Sequence, residues 1–336
     1  MPWESMKREI IHRSRSKSNQ VYGCRPGERP IEVLLNYGII NLNKPAGPTS
    51  HQVSAYVQQV LGQKRAGHSG TLDPMVTGVL PTALGRATRI TQALLVAGKE
   101  YVCLMHVHKE ATPEKIKEVL AQFVGKIRQL PPVKSAVKRR WRFRKIYYLD
   151  ILEIKDRNVL FRVGCQAGTY IRKLCTDIGE KLGTGAHMAG LVRSKAGPFT
   201  DKDMVTLQDL RDAMWYYKEQ KNDKFLRHCI RDIEVAVGHL PKVWVLDTTV
   251  DTLCHGVDLK APGIAKVETD IQAEEMVAVM TLKEELVGLG KAVMISRQMI
   301  SEEKGLAVKM EKVFMLPDVY PKHKREEKKD EPVQSA

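Results

Sequence analysis

The 336 residues predict an α+β fold in two parts, and three features carry that reading. Short apolar strand segments alternate with amphipathic helical segments up to about residue 238. One pair of strand segments is joined by a tight turn, the signature of a hairpin. From about residue 240 helix signals become few, and short strands separated by Gly, Asp and Lys turns take over. That second texture predicts a small β-rich domain over 239–317.

Taken in order, the first 32 residues form a basic arm carrying Lys7, Arg8, Arg13, Arg15, Lys17, Arg25 and Arg29, with little apolar period. Such an arm is ordered only where something holds it. YGIINLNK (37–44) reads as a strand that runs into the loop KPAGPTS. Thr49 or Ser50 then caps a helix with Val53, Tyr56, Val57, Val60 and Leu61 on one face, stopped by Gly62. A second helix has Thr112 as cap and Pro113 at its first position, and it buries Ile116, Val119, Leu120 and Phe123. KIYYLDILEIKDRNVLFRVGCQ (145–166) is the hairpin, turning at Asp156, Arg157 and Asn158. Thr169 is expected to open a third helix with the stripe Ile171, Leu174, Cys175, Ile178 and Leu182. A fourth starts at TLQDL, where Thr206 and Asp209 form a capping box. In the C-terminal part, KVWVLD, EMVAVMTL, LVGLGKAVM and GLAVKMEKVFM are the strand candidates, and 318–336 is a charged tail expected to be disordered.

Composition bounds the function. A formal charge of +15 and a pI near 9.5 point to a polyanionic partner, with nucleic acid first and an acidic membrane surface second. No apolar run is long enough to span a membrane, and the first residues lack the apolar core of a secretory signal. Six scattered cysteines without a CxxC pair argue against a zinc site or a disulfide framework, and for a reducing compartment. GLGK (288–291) lacks the rest of a P-loop, and HExxH, GxSxG and a strand-following GxGxxG are all absent.

What remains is a set of short polar motifs at element boundaries. RAGHSGTLDPMVTGVLP (65–81) sets Gly67, Gly70 and Gly78 around a lone carboxylate, Asp73, followed at once by Pro74. An ordinary turn is the first reading; a catalytic Asp on a loop lying close against a ligand is the second. NKPAGPTS (43–50) ends a strand and opens a helix, so its N–H groups could receive a phosphate with Lys44 adding charge, unless it is a plain turn. In AGTYIRKLC (167–175), Arg172 falls in a first helical turn. A cation there opposes the helix dipole, which suggests an anionic partner, and Asp73 is a candidate. Tyr101 begins an alternating strand, as many ordinary sheet tyrosines do. VKSAVKRRWRFRK (133–145) interleaves Trp141 and Phe143 with seven Lys and Arg, the composition of a contact to single-stranded RNA or of a solvated loop.

Taken together and in sequence, NLNKPAGPTSHQV, KRAGHSGTLDPMVTGVLP, KEYV, QLPPVKSAVKRR, AGTYIRKLC, GAHMAGLVRSKAGPF and HGVDLKAPGIAKVE resemble the dyskerin-type pseudouridine synthases of box H/ACA RNA–protein particles. These are relatives of the bacterial TruB-like tRNA uridine-55 synthases. The resemblance implies a catalytic domain over 33–238 built on a mixed, largely antiparallel sheet with flanking helices, and a PUA pseudo-barrel over 239–317. The arm at 1–32 would pack on the PUA domain. It further implies that Asp73 is the catalytic carboxylate, Arg172 its paired arginine and Tyr101 the residue that stacks on the target base. Leu191, Lys44, His68 and Thr71 would line the substrate pocket. Lys134, Lys138, Arg139, Arg140 and Gly263 would contact RNA. The reaction breaks the N1–C1′ bond of a uridine, turns the uracil and rejoins it through C5, with no redox change and hence no cofactor and no metal. A base out of its stack would lie between Tyr101 and Leu191, and Asp73 would act at C1′ or on a proton. The expected partners are a box H/ACA guide RNA, a substrate RNA and small H/ACA particle proteins, with no membrane, in an archaeal cytoplasm. A standalone tRNA pseudouridine-55 synthase is the second reading, and a non-catalytic RNA-binding scaffold the third.

Overall fold

A computed structural model describes residues 1–131 and 138–322. The chain forms two compact units: Met1–Lys7 with Gly27–His239, and Arg8–Pro26 with the residues from Leu240 onward.

In the first unit ten strands make one sheet. From one edge the order is Arg231–Asp232, Gly38–Lys44, Thr77–Leu84, Ala186–Ala196, Lys99–Val107, Asn158–Cys165, Arg142–Lys155 and Gly125–Gln129. Ala66–His68 also pairs with Thr77–Leu84, and Phe199–Thr200 with Ala186–Ala196. Every one of these neighbours is antiparallel except one: Thr77–Leu84 and Ala186–Ala196 run parallel, Thr77 opposite Val192 and Gly78 opposite Arg193. The mixed, largely antiparallel sheet implied by the resemblance is therefore present. The hairpin turns where expected, with Asp156 in the left-handed region at φ 51.

The helices show why local sequence reads well at caps. Thr49, not Ser50, is the N-cap of Ser50–Leu61, in a box with Gln52, and Gly62 ends that helix at φ 65. Thr112 caps Pro113–Ala121, and Thr206 with Asp209 boxes Leu207–Gln220. Ile171–Leu182 departs from expectation. Its N-cap is Tyr170, with no side-chain cap, because the Thr169 hydroxyl is spent on the Gln166 carbonyl at 2.6 Å. Gln129 instead clasps Tyr170, accepting from its N–H at 3.0 Å and donating to its carbonyl at 3.2 Å. A further helix, Ile31–Tyr37, precedes the first long strand of the sheet. It was not expected, since YGIINLNK reads as strand from residue 37.

Two cores pack against the sheet. One gathers Leu34, Ile40, Leu42, Val53, Val57, Leu80, Leu84 and Leu210; the other gathers Cys103, Met105, Ile116, Leu120, Phe161, Val163, Leu174 and Ile178. In the second, Ile171, Leu174, Cys175 and Ile178 are buried. The three aliphatic side chains among these contribute about 1.5–3 kcal/mol each, which outweighs the roughly 0.3–1 kcal/mol cost of a cation near the helix N-terminus. Packing therefore holds Arg172 where the dipole alone would disfavour it.

In the second unit seven strands follow the order Ile10–His12, Ile264–Glu268, Lys242–Val245, Met276–Thr281, Leu286–Ala292, Leu306–Val313 and Leu259–Lys260. All four strand candidates of the C-terminal segment are strands. Part of the basic arm belongs to this unit. Ile10–His12 pairs with Ile264–Glu268, Arg13 donates to the carbonyls of Met299 and Ile300 at 3.2 and 2.7 Å, and Ser18 and Asn19 bond Asp247. Most of the tail expected to be disordered, 323–336, lies outside the described residues. Among the described residues no helix is long and apolar enough to cross a membrane.

Candidate active site

Asp73 sits on the loop between Ala66–His68 and Thr77–Leu84, and its carboxylate accepts a hydrogen bond from the Arg172 guanidinium. Ninety-nine positions separate the two in sequence. The pair is open to solvent, with the side chains 53% and 47% exposed, so a ligand can reach the acid.

The loop beneath Asp73 is clamped from behind. Ser50 is wholly buried, and its hydroxyl accepts from the Leu72 N–H at 2.9 Å and donates to the Leu72 carbonyl at 3.2 Å. Lys44 donates from Nζ to the carbonyls of Pro45, Pro74 and Val76 at 2.8, 2.8 and 2.9 Å. The Gly47 N–H adds a bond to the Pro74 carbonyl at 3.0 Å. The expected role of Lys44 needs correction: the side chain is 0% exposed and faces three backbone carbonyls, not a phosphate path. It comes from the last residue of a strand buried on both faces, so its direction is inward. Burial pulls its pKa down, while three carbonyl acceptors favour the ammonium form.

Tyr101 lies on Lys99–Val107, and the cross-strand register explains its neighbours. Tyr101 stands opposite Arg193 and Cys103 opposite Leu191, so all four project from one face of the sheet. Leu191 is thus one diagonal step from Tyr101, and both pack against the core that holds Ile171 and Leu174. Arg193, which sequence reasoning missed, is 1% exposed. Its Nε donates to the Val79 carbonyl at 2.7 Å and its Nη2 to the Gly70 carbonyl at 3.1 Å. Gly78 is required where the parallel strands meet: at φ 103, an added Cβ would stand 2.3 Å from the Arg193 carbonyl oxygen. Burial raises the Tyr101 pKa, with Arg193 opposing the rise.

His68 is half-buried, and neither ring nitrogen has a hydrogen-bond partner; its ring meets His51 edge-on at 4.9 Å. Burial, then the charges of His51 and Arg193, push its pKa down to about 4. An unfolded histidine titrates near about 6.5. Between the two values the unfolded chain takes up a proton that the folded chain refuses, so stability falls as pH drops through that window and is unaffected above it. Replacing His68 with Phe is expected to remove about 2 kcal/mol of the stability lost between pH 7 and 4.5, read as denaturant midpoints at both pH values. Equal acid sensitivity in the two proteins would refute this.

Thr71 is exposed on the Asp73 loop. Lys138, Arg139 and Arg140 are exposed ahead of the strand Arg142–Lys155, whereas Lys134 lies outside the described residues. Trp141, just before that strand, and Phe143 on it are more than half exposed and carry the cations of Arg128 and Lys126 at 4.4 and 4.3 Å from their ring centroids. Gly263 belongs to the second unit, where an added Cβ would meet Thr249 at 2.7 Å. Its small size is demanded by packing within that unit. Among the described residues no group of three His, Cys, Asp or Glu side chains is placed to hold a metal ion.

Comparison with known families places this geometry. Residues 58–171 match the N-terminal domain of the TruB family pseudouridylate synthases, and 172–238 the C-terminal domain of tRNA pseudouridylate synthase B. Residues 241–314 match the PUA domain, and 1–54 the DKCLD (NUC011) domain. "Probable tRNA pseudouridine synthase B" of Methanothermobacter thermautotrophicus is 52% identical over 318 residues, covering 95% of this chain and 98% of that protein. The chain belongs to the TruB family of pseudouridine synthases. It is an enzyme of that class, and its likeness extends to the same-named protein of Methanopyrus kandleri, 53% identical over 94% of this chain and 93% of that one. Among solved structures, one described as an H/ACA RNP bound to a substrate RNA containing 2′-deoxyuridine aligns with a TM-score of 0.91 at 49% identity, covering 96% of this chain and 99% of that one. A Cbf5-Nop10-Gar1 complex aligns with a TM-score of 0.92 at 52% identity, covering 95% and 98%.

Proposed function

We propose that the chain is a guide-RNA-dependent synthase that isomerises uridine to pseudouridine in rRNA, with tRNA as a candidate further substrate and Asp73 as the catalytic carboxylate acting on a flipped uridine. The observation that carries this reading is the solvent-open Asp73–Arg172 pair on a loop whose backbone is fixed by buried Lys44 and Ser50. A carboxylate held from behind and free in front can meet the sugar of an extruded nucleotide. Tyr101 and Leu191, on one face of adjacent strands, supply an aromatic and an aliphatic wall for its base. Full-length likeness to a chain in an H/ACA particle with substrate RNA supports the guided form. Under this reading the partners are a box H/ACA guide RNA, a substrate RNA and small particle proteins, and the basic segment with Trp141 and Phe143 offers stacking and phosphate contacts.

The second reading, a standalone tRNA pseudouridine-55 synthase, is favoured by the tRNA activity in the relatives' names. Pseudouridine formation in a short target RNA and in unmodified tRNA, each with and without guide RNA and small particle proteins, separates the two. Modification of the short target is expected only with guide. Product confined to tRNA and indifferent to guide would establish the standalone enzyme instead.

A further inference from the structure

We propose that Arg193 is a positioning residue of the isomerisation: a buried cation, without an acidic partner among the described residues, that joins the Asp73 loop to Tyr101. The proposal rests on the roles proposed above for Asp73 and Tyr101. Arg193 is almost wholly inaccessible. Two of its donors take the carbonyls of Gly70, three residues before Asp73, and of Val79, on the strand that leaves the loop. Across the antiparallel pair it stands directly opposite Tyr101, and its charge favours the ionised form of that phenol. Its nearby titratable neighbours include Lys99 and His68, both with pKa values lowered first by burial and further by Arg193. No carboxylate offsets its charge among the described residues.

Burying an unpaired ion is costly, and an apolar side chain of similar volume avoids that cost. The position of the charge gives a reason for keeping it. Whether Asp73 attacks C1′ or removes a proton, the N1–C1′ bond breaks with its electron pair passing to the uracil. The freed base carries negative charge over its ring nitrogens and carbonyl oxygens until C5 bonds to C1′, as the Asp73–C1′ bond breaks or Asp73 returns the proton it took from the sugar; C5 then loses its proton and N1 gains one. A fixed positive potential beneath the base pocket favours that anion without reorganisation during the reaction. Arg193 does not reach the base in this scheme. It acts through the phenol of Tyr101 and through the position of the Asp73 loop.

The test uses the full chain assembled with guide RNA and small particle proteins, in single turnover on a short target RNA. Arg193→Gln is expected to slow product formation by about tenfold or more, with target affinity within about twofold of wild type. Arg193→Lys recovers part of the rate because it keeps the charge. In a Tyr101→Phe background, Arg193→Gln costs less than in wild type, since the route through the phenol is already cut and only the loop contact remains to be lost. A wild-type rate for Arg193→Gln, no advantage of Lys over Gln, or equal losses in both tyrosine backgrounds would each overturn the proposal. If Arg193→Gln does not fold, Arg193→Lys is paired with Tyr101→Phe, where non-additivity is expected and additivity overturns it. Asp73→Asn runs alongside: product from that variant removes the underlying reading, which is a different failure.

Discussion

Replacing Asp73 with Asn is expected to abolish pseudouridine formation while guide-RNA affinity and the melting midpoint stay near wild type. The loss is on the order of 10⁴-fold or more, the scale seen when an enzyme's reacting group is removed. The side chain is more than half exposed, and so nearly is Arg172. Their ion pair is therefore screened, and such pairs contribute about 0–1 kcal/mol. The loop does not depend on the carboxylate for its shape, since Lys44, Ser50 and Gly47 hold its backbone, and the Asp73 carbonyl still accepts from Val76 in the variant. Amide for carboxylate preserves volume and removes only the charge and its nucleophilic or basic oxygen. Single-turnover product formation, gel-shift affinity for guide RNA and a thermal melt on one preparation decide the matter. A variant that loses binding and stability along with turnover would make Asp73 a residue of the fold.

Some of this was legible in the sequence, and the division has physical causes. Caps read well because a Thr at the N-cap and a Gln or Asp three positions later interact within one turn, as at Thr49–Gln52 and Thr206–Asp209. The hairpin at Asp156 was equally local. The meeting of Asp73 with Arg172 across the chain was anticipated because a cation in a first helical turn stands out against the dipole. Ile31–Tyr37 was missed, since seven residues are too few to show a helical period. Its end is set by tertiary contact: a Cβ at Gly38 would stand 2.4 Å from the Ile230 side chain. Thr169 was misread because the same hydroxyl that can cap a helix can close a preceding turn. Arg193 gave no local signal at all. One of two basic residues in GLVRSKAG, it looks like surface until strand pairing sets it opposite Tyr101.

Lys44 is where sequence and structure make opposing predictions, and Lys44→Met separates them. Met matches the stem in length and apolar character, so the change removes little but the ammonium. The carbonyls of Pro45 and Val76 then lose this donor in a site closed to water, and that of Pro74 is left with the Gly47 N–H. An acceptor left unsatisfied on burial costs about 1–3 kcal/mol, partly offset because a desolvated charge is also removed. A net loss of about 3 kcal/mol is expected, or roughly 6–12 °C in melting midpoint for a unit of this size. Two of those carbonyls, those of Pro74 and Val76, follow Asp73 in the loop, so the catalytic loop loosens with them. A displacement of about 1 Å at a reacting group costs on the order of 10²-fold in rate, and turnover is expected to fall by about that factor. RNA affinity should change little, because the ammonium faces no solvent. A phosphate-binding lysine predicts the converse pattern: an unchanged melting midpoint, weaker RNA binding and a salt slope shallower by about one. Melting curves and guide-RNA affinities at several salt concentrations distinguish the two, because only the clamp couples the loss of turnover to a loss of stability.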